Sequence, residues 1–353
     1  MKNQLLLFLF LLALSSCKNK NIAVIRPHLK VFTSVEIDTI FEQELSIRAL
    51  LIDSNTVWYA ANKGLYGSID LATKKQFNGH VIKDTPAYEF RSIAQTKDYI
   101  FLLNAGSPAA LYRSTKDGSE IVQMYKENHP KVFYDSMHFW NDQEGIAMGD
   151  PTADCLSVLI TRNGGTNWHK VSCDVLPKVQ EGEAAFAASN TNIVVQGNDT
   201  WLVSGGTKVR VFYSSDKGKS WNVTATPLVQ GEAMTGIFTA DFYDAKNGFI
   251  AGGNYEKLQQ NFGNKAITKD GGTTWRLIAE HEGFGYASCV QYVPHSNAEQ
   301  LVSVGASGLY YSSDSGVKWS KLVNDTTLFT IRFMNDSTAL AAGKNKIIRL
   351  RFK

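Results

Sequence analysis

A single eight-residue pattern, Ser/Thr-x-Asp-x-Gly-x-x-Trp, recurs along this chain of 353 residues. Ser214–Trp221, Thr268–Trp275 and Ser312–Trp319 carry it whole. Thr161–Trp168 has Asn163 in place of the Asp. Ser114–Gly118 is one residue short, and Ser68–Ala72 is a worn copy. The copies start 44 to 54 residues apart, and a fixed period of that length is the signature of a repeat architecture. The chemistry of the pattern predicts a hairpin. An Asp side chain accepts hydrogen bonds from nearby backbone N–H groups, and Gly takes φ > 0 without strain. The Trp ring then packs over the turn and the adjoining strand.

Each copy sits between two short strands, and two earlier strands precede it. Ser136–Asn141 with Gly145–Gly149, Gly236–Tyr243 with Gly248–Gly252, and Tyr286–Tyr292 with Gln300–Gly305 are such pairs. The excess of 28 Gly over 8 Pro suits many turns and few stiff linkers. Four strands per repeat predict the blades of a single all-β propeller. The pattern resembles the Asp-box, or BNR repeat, of bacterial sialidases, sortilin-type receptors and related propellers. That resemblance is specific for fold and silent on function. Six hairpin marks count six blades, and Leu328–Met334, Ser337–Ala342 and Lys346–Phe352 begin another. The expectation is therefore seven four-stranded blades. Val31–Phe41 would supply the missing outer strand of the last blade and close the ring.

The first residues are an address. Lys2 is followed by the apolar run Leu5–Leu14, too short for the roughly 20-residue helix that spans a bilayer. Leu14-Ser15-Ser16-Cys17 resembles a bacterial lipobox, which implies cleavage after residue 16 and acyl chains on Cys17. The domains expected are a signal peptide over 1–16, a tether over 17–30 and the propeller over 31–353. The membrane is then a partner through Cys17, with the periplasmic face favoured over the cell surface because the tether lacks acidic residues.

That compartment permits disulfides. Cys155 and Cys173 lie at equal distance from the turn residue Gly164, which makes them a candidate pair on opposed strands. Cys289 lies inside an apolar strand and reads as a small core residue. No Cys/His set has zinc spacing and no dinucleotide fingerprint follows a strand, so no metal or cofactor is expected. With 36 Lys+Arg against 33 Asp+Glu, the net charge of +3 is too weak for nucleic acid.

In propellers generally, function sits on the face opposite the hairpin turns, around the axis. On that basis the candidate binding residues are Arg91, His138, Asp150, Glu183, Lys208, Arg210 and Glu232. Glu183 and Glu232 stand in two Gly-Glu-Ala copies about one repeat apart, and buried charge is costly unless paired or used. The loop Asn254–Asn264 is the longest between second and third strands. A sialidase would need three arginines, and Arg91, Arg210 and Arg332 are present without any spacing that enforces a triad. The chain is also similar in organisation to photosystem II stability/assembly-factor-like propellers. That resemblance implies no catalytic set and a role in protein assembly. The readings carried forward are a non-catalytic assembly or binding lipoprotein with an unknown protein or glycan ligand, and a sialidase-like hydrolase.

Overall fold

A computed structural model describes residues 29–82 and 87–353. The expected signal peptide, the lipidation site Cys17 and all but the last two residues of the tether lie outside the described residues. What is described is an all-β propeller. Among the described residues no helix is long and apolar enough to cross a membrane.

The expectation of seven four-stranded blades is corrected: the strands form six sheets. Four of them have four strands. They begin at the inner strands Phe90–Gln95, Tyr134–Phe139, Ile193–Gln196 and Cys289–Tyr292. The other two have six strands each. One of these joins what the repeats suggested as first and last blades. Its strand Val35–Asp53 runs for 19 residues. The first part pairs with the C-terminal strand, from Val35↔Phe352 to Ser46↔Lys344. The second part pairs with Thr56–Ala61, from Ile47↔Ala61 to Asp53↔Thr56. Thr338–Phe352 is likewise one strand of 15 residues where the sequence suggested two. Hydrogen bonding is thus unbroken across the place where a blade boundary was expected. The second six-stranded sheet begins with the short pieces Glu183–Ala184 and Gly205–Gly206 and continues through Thr235–Phe242 to Arg276–Leu277.

The core lies between neighbouring sheets. Trp201 and Phe242, from adjacent sheets, stack at 3.8 Å. Phe101, Tyr134, Met137 and Trp168 share one buried cluster. Burying each such side chain contributes roughly 1.5–3 kcal/mol.

The repeat turns share one hydrogen-bond pattern. The first Ser or Thr hydroxyl reaches the third residue in Thr161–Asn163, Ser214–Asp216, Thr268–Asp270 and Ser312–Asp314. The fifth residue, always Gly, donates its N–H back to that hydroxyl at 2.8–3.0 Å. The third residue accepts from the seventh N–H at 2.9 Å in all four copies. Gly165, Gly218, Gly272 and Gly316 all have positive φ. A Cβ on Gly165 would stand 2.2 Å from the Phe101 ring of the neighbouring sheet, so this Gly is needed for packing as well as for the turn.

Cys155 and Cys173 are joined in a disulfide across 18 residues, with Cα atoms 5.4 Å apart. The hairpin Ser157–Thr161/His169–Lys170 lies within this loop. Cys155 is bridged by backbone to Lys178 rather than to its disulfide partner. Cys289 is free and buried.

Candidate functional site

The axial groups are aimed by a defect in the strands. In five inner strands the pairing skips one residue near the start. The skipped residues are Arg48, Arg91, Asp135, Phe238 and Phe329. A β-bulge of this kind re-aims a side chain, and such bulges gather beside functional sites. These five fall on the face opposite the repeat turns, because the repeat turns join the far ends of third and fourth strands.

Three of them, Arg48, Arg91 and Phe238, line a cavity of about 380 Å³. The Arg48 guanidinium sits 4.1 Å from the Phe329 ring centre and donates to the Ala188 carbonyl at 3.3 Å. Burial, and then the Arg91 charge beside it, pull the Arg48 guanidinium down from its ordinary value. No carboxylate lies within 4.0 Å of Arg48 among the described residues. Arg91 meets one carboxylate only, Glu89 at 4.0 Å, and its Nε is buried without a hydrogen bond. The other wall is aromatic. Phe186 stacks on Phe238 at 3.9 Å. Tyr286 meets Phe238 edge-on at 4.8 Å, and Tyr255 meets Tyr286 at 5.1 Å. Asp150 accepts the Ala185 N–H at 2.8 Å, and burial pushes its carboxyl up to about 6. Asp135 is fully buried, with neither carboxyl oxygen in a hydrogen bond of ordinary geometry. Burial, reinforced by Asp150, drives it well above the carboxylate range.

The floor of this cavity is a length of chain. Residues 185–192 leave the sheet edge and cross the axis. Their small side chains, Ala185, Ala187, Ala188 and Ser189, let them fit there. Asn190 takes the left-handed φ of 59°. Its side chain accepts from the Met137 N–H at 2.9 Å and donates to the Ile93 carbonyl at 2.8 Å. Ser189 donates to the Ser288 carbonyl at 2.6 Å, and Thr191 bonds Thr239 at 2.8 Å. The Ser189 carbonyl accepts from Arg332 at 3.0 Å and from Thr330 at 3.3 Å. The crossing segment is thus tied to five inner strands. It separates the upper cavity from a second one of about 440 Å³ on the side of the repeat turns.

The structure distributes the candidate residues over both sides. Arg91 and Asp150 line the upper cavity. His138 lines the lower one with Asp241 and Arg332. Burial, then the Arg332 charge, lowers the His138 imidazole to about 4. Glu183 and Arg210 form a buried two-point ion pair, at 3.0 and 2.6 Å, and Ser204 also donates to Glu183 at 2.6 Å. Glu232 is exposed and meets Lys257 at 3.3 Å and Asn254 at 2.8 Å. Glu183 and Glu232 therefore do not act on one another. Lys208 lines neither axial cavity. Among the described residues no group of His, Cys, Asp or Glu could hold a metal ion.

Sequence reasoning missed Arg48, Asp135, Phe238 and the crossing segment. A signal for the first three exists. Ile47-Arg48-Ala49-Leu50, Phe90-Arg91-Ser92-Ile93, Tyr134-Asp135-Ser136-Met137, Ile237-Phe238-Thr239-Ala240 and Leu328-Phe329-Thr330-Ile331 share one spelling. An apolar residue, then the bulge residue, then Ser, Thr or Ala, then an apolar residue marks each bulged inner strand.

No protein-family model matches the chain, and no curated protein matches it in sequence. Solved structures do match in fold. "YCF48 bound to D1 peptide" has 13% identity and a TM-score of 0.64, covering 91% of this chain and 98% of that one. YCF48 from Cyanidioschyzon merolae has 14% identity and a TM-score of 0.62, covering 91% and 98%. The U3-55K structure has 10% identity and a TM-score of 0.64, covering 90% and 98%. At these identities the likeness is one of fold.

Proposed function

We propose that this chain is a non-catalytic binding propeller that holds a segment of a partner protein in the upper axial cavity and acts in protein assembly. The observation that carries the reading is the cavity wall. Two partly desolvated arginines stand beside an aromatic face, Arg48 with no carboxylate within 4.0 Å and Arg91 with Glu89 alone, at 4.0 Å. Arginine in such a setting favours planar anionic groups, and the rings offer apolar area at low entropic cost. A fold neighbour, YCF48 bound to a D1 peptide, makes a peptide ligand a natural match for a propeller of this shape. The sialidase reading loses ground to the same geometry. Arg210 is held by Glu183, and Arg332 donates to the crossing segment on the far side. Only Arg91 of the three faces the upper cavity.

The lipoprotein address completes the proposal. Acyl chains on Cys17 would place the propeller at a membrane surface, on the periplasmic side. Crosslinking from membranes tests both parts. The mature protein should recover a protein partner, and Arg48→Ala with Arg91→Ala should lose it. Cys17→Ala should leave the propeller in the soluble fraction. Recovery of no partner, or equal recovery with the double variant, would count against the cavity. Hydrolysis of a fluorogenic sialoside, lost on Arg91→Ala, would overturn the non-catalytic reading.

A further inference from the structure

We infer that the upper axial cavity is an end-on site for the free carboxyl terminus of a partner chain whose last side chain is apolar. The inference rests on the reading of the cavity as a protein-binding site and names which part of the protein enters it.

The first argument is topological. A chain threaded through the ring needs a second opening on the far side, which this cavity lacks, and an internal loop must bring two lengths of backbone through its one mouth. Residues 185–192 close its floor with hydrogen bonds from five inner strands, including Asn190 to Ile93 and Met137, and Ser189 to Ser288. At about 380 Å³ the cavity is near the small end of ligand sites, which hold roughly 300–1,000 Å³. A helix is about 10 Å wide with its side chains and does not enter a blind space of this size. A chain end does.

The second argument is electrostatic. Arg48 and Arg91 are close enough to repel one another and lie on neighbouring sheets. The carboxyls nearby do not answer them. Neither Asp135 nor Asp150 reaches within 4.0 Å of either guanidinium, and Asp150 accepts from the Ala185 N–H. Glu89 is half-exposed and stands at the 4.0 Å edge of contact. Arg48 without a carboxylate partner, and Arg91 with only that distant one and a buried, unbonded Nε, present forks that a carboxylate can satisfy at two points.

The third argument is the wall beside them. Phe186, Phe238 and Tyr286 form a continuous aromatic surface, with Ala187, Ala188 and Met234 around it. A terminal residue carries its carboxylate and its side chain on one carbon. The juxtaposition of the arginines and the rings matches that arrangement.

The test uses fluorescent short peptides ending in Leu, Phe or Tyr, in three forms. These are the free acid, the carboxyl-terminal amide, and an amide with Asp at an internal position. Anisotropy titrations are run on the mature protein. The free acids should bind, and both amide forms should bind at least about tenfold more weakly, as expected for loss of one charge-assisted contact. Arg48→Lys and Arg91→Lys, which keep the charge but not the fork, should each weaken the free acid. Lys257→Ala, outside the cavity, should leave it unchanged. Melting curves confirm that each variant folds. Equal binding of acid and amide, or preference for the internal Asp, overturns the end-on inference and leaves the cavity as a protein site. Failure of every peptide while crosslinking still depends on Arg48 and Arg91 also overturns it. Failure of both assays removes the underlying reading.

Discussion

At the scale of single residues, the axis of this propeller holds carboxyls whose environments oppose their charge. Asp241 lines the lower cavity and accepts backbone N–H bonds from Tyr292 at 2.6 Å and Phe242 at 3.1 Å. Burial still outweighs them, and its carboxyl is pushed from 3.8 up to about 7. The folded chain then holds a proton that the unfolded chain releases between those values. Its contribution to stability is present below pH 3.8 and is lost as pH rises through about 7. Asp150 acts with the same sign up to about 6. His138 acts with the opposite sign, because its imidazole is lowered to about 4 and unfolding takes up a proton below 6.5. Asp241→Asn isolates the one contribution. In denaturant titrations, the stability of the native chain relative to this variant should fall between about pH 4 and pH 7 and level off above that. A difference that stays constant over that range would show that Asp241 does not titrate as its burial demands.

At the scale of elements, the repeat turn is a local device with a non-local requirement. Its hydroxyl, carboxylate and amide bonds close within eight residues, as in Ser214–Trp221. Its Gly also lets the neighbouring sheet approach. Gly165 and Gly197 separate the two roles. Both have positive φ, at 77° and 62°. A Cβ at Gly165 would strike the Phe101 ring at 2.2 Å, and at Gly197 it would meet nothing within 4 Å. Gly197→Ala should therefore cost only the backbone penalty, about 1 kcal/mol. Gly165→Ala should cost about 3 kcal/mol, since strain and overpacking add. Urea denaturation of the two variants measures the difference. Equal losses would mean that the turn conformation, and not the contact with Phe101, sets the need for Gly.

At the scale of the whole molecule, ring closure depends on one pairing between the chain's ends. Val35 opposes Phe352 and Glu42 opposes Lys346. Arg349 and Asp38 add an ion pair at 2.7 Å across the same seam. Ile348, Leu350 and Phe352 are buried there with Phe32. Removing residues 31–42 would leave that strand with an open hydrogen-bonding edge and uncover its apolar side, the features that drive edge-to-edge association. The truncated chain should lose its cooperative melt and associate on size-exclusion chromatography. A monomer that melts as the full chain does would show that closure is dispensable.

What the sequence determined alone is whatever closes over a short stretch of chain. The period, the turn chemistry and the all-β class were legible because Asp, Gly and Trp at fixed offsets act within one hairpin. Arg91 and Asp150 were legible as axial residues because they stand at strand ends that the period locates. The number of sheets was not legible. Whether Val35–Asp53 and Thr338–Phe352 break or run on depends on partners some 300 residues away in sequence. Nor was the fate of each charge. Glu183 finds Arg210, while Arg48 and Arg91 are left facing one another, and no spacing specifies this. Only the tertiary structure decided that residues 185–192 cross the axis, because that path is set by hydrogen bonds to strands drawn from the whole ring. It is this crossing that turns an open channel into a blind cavity.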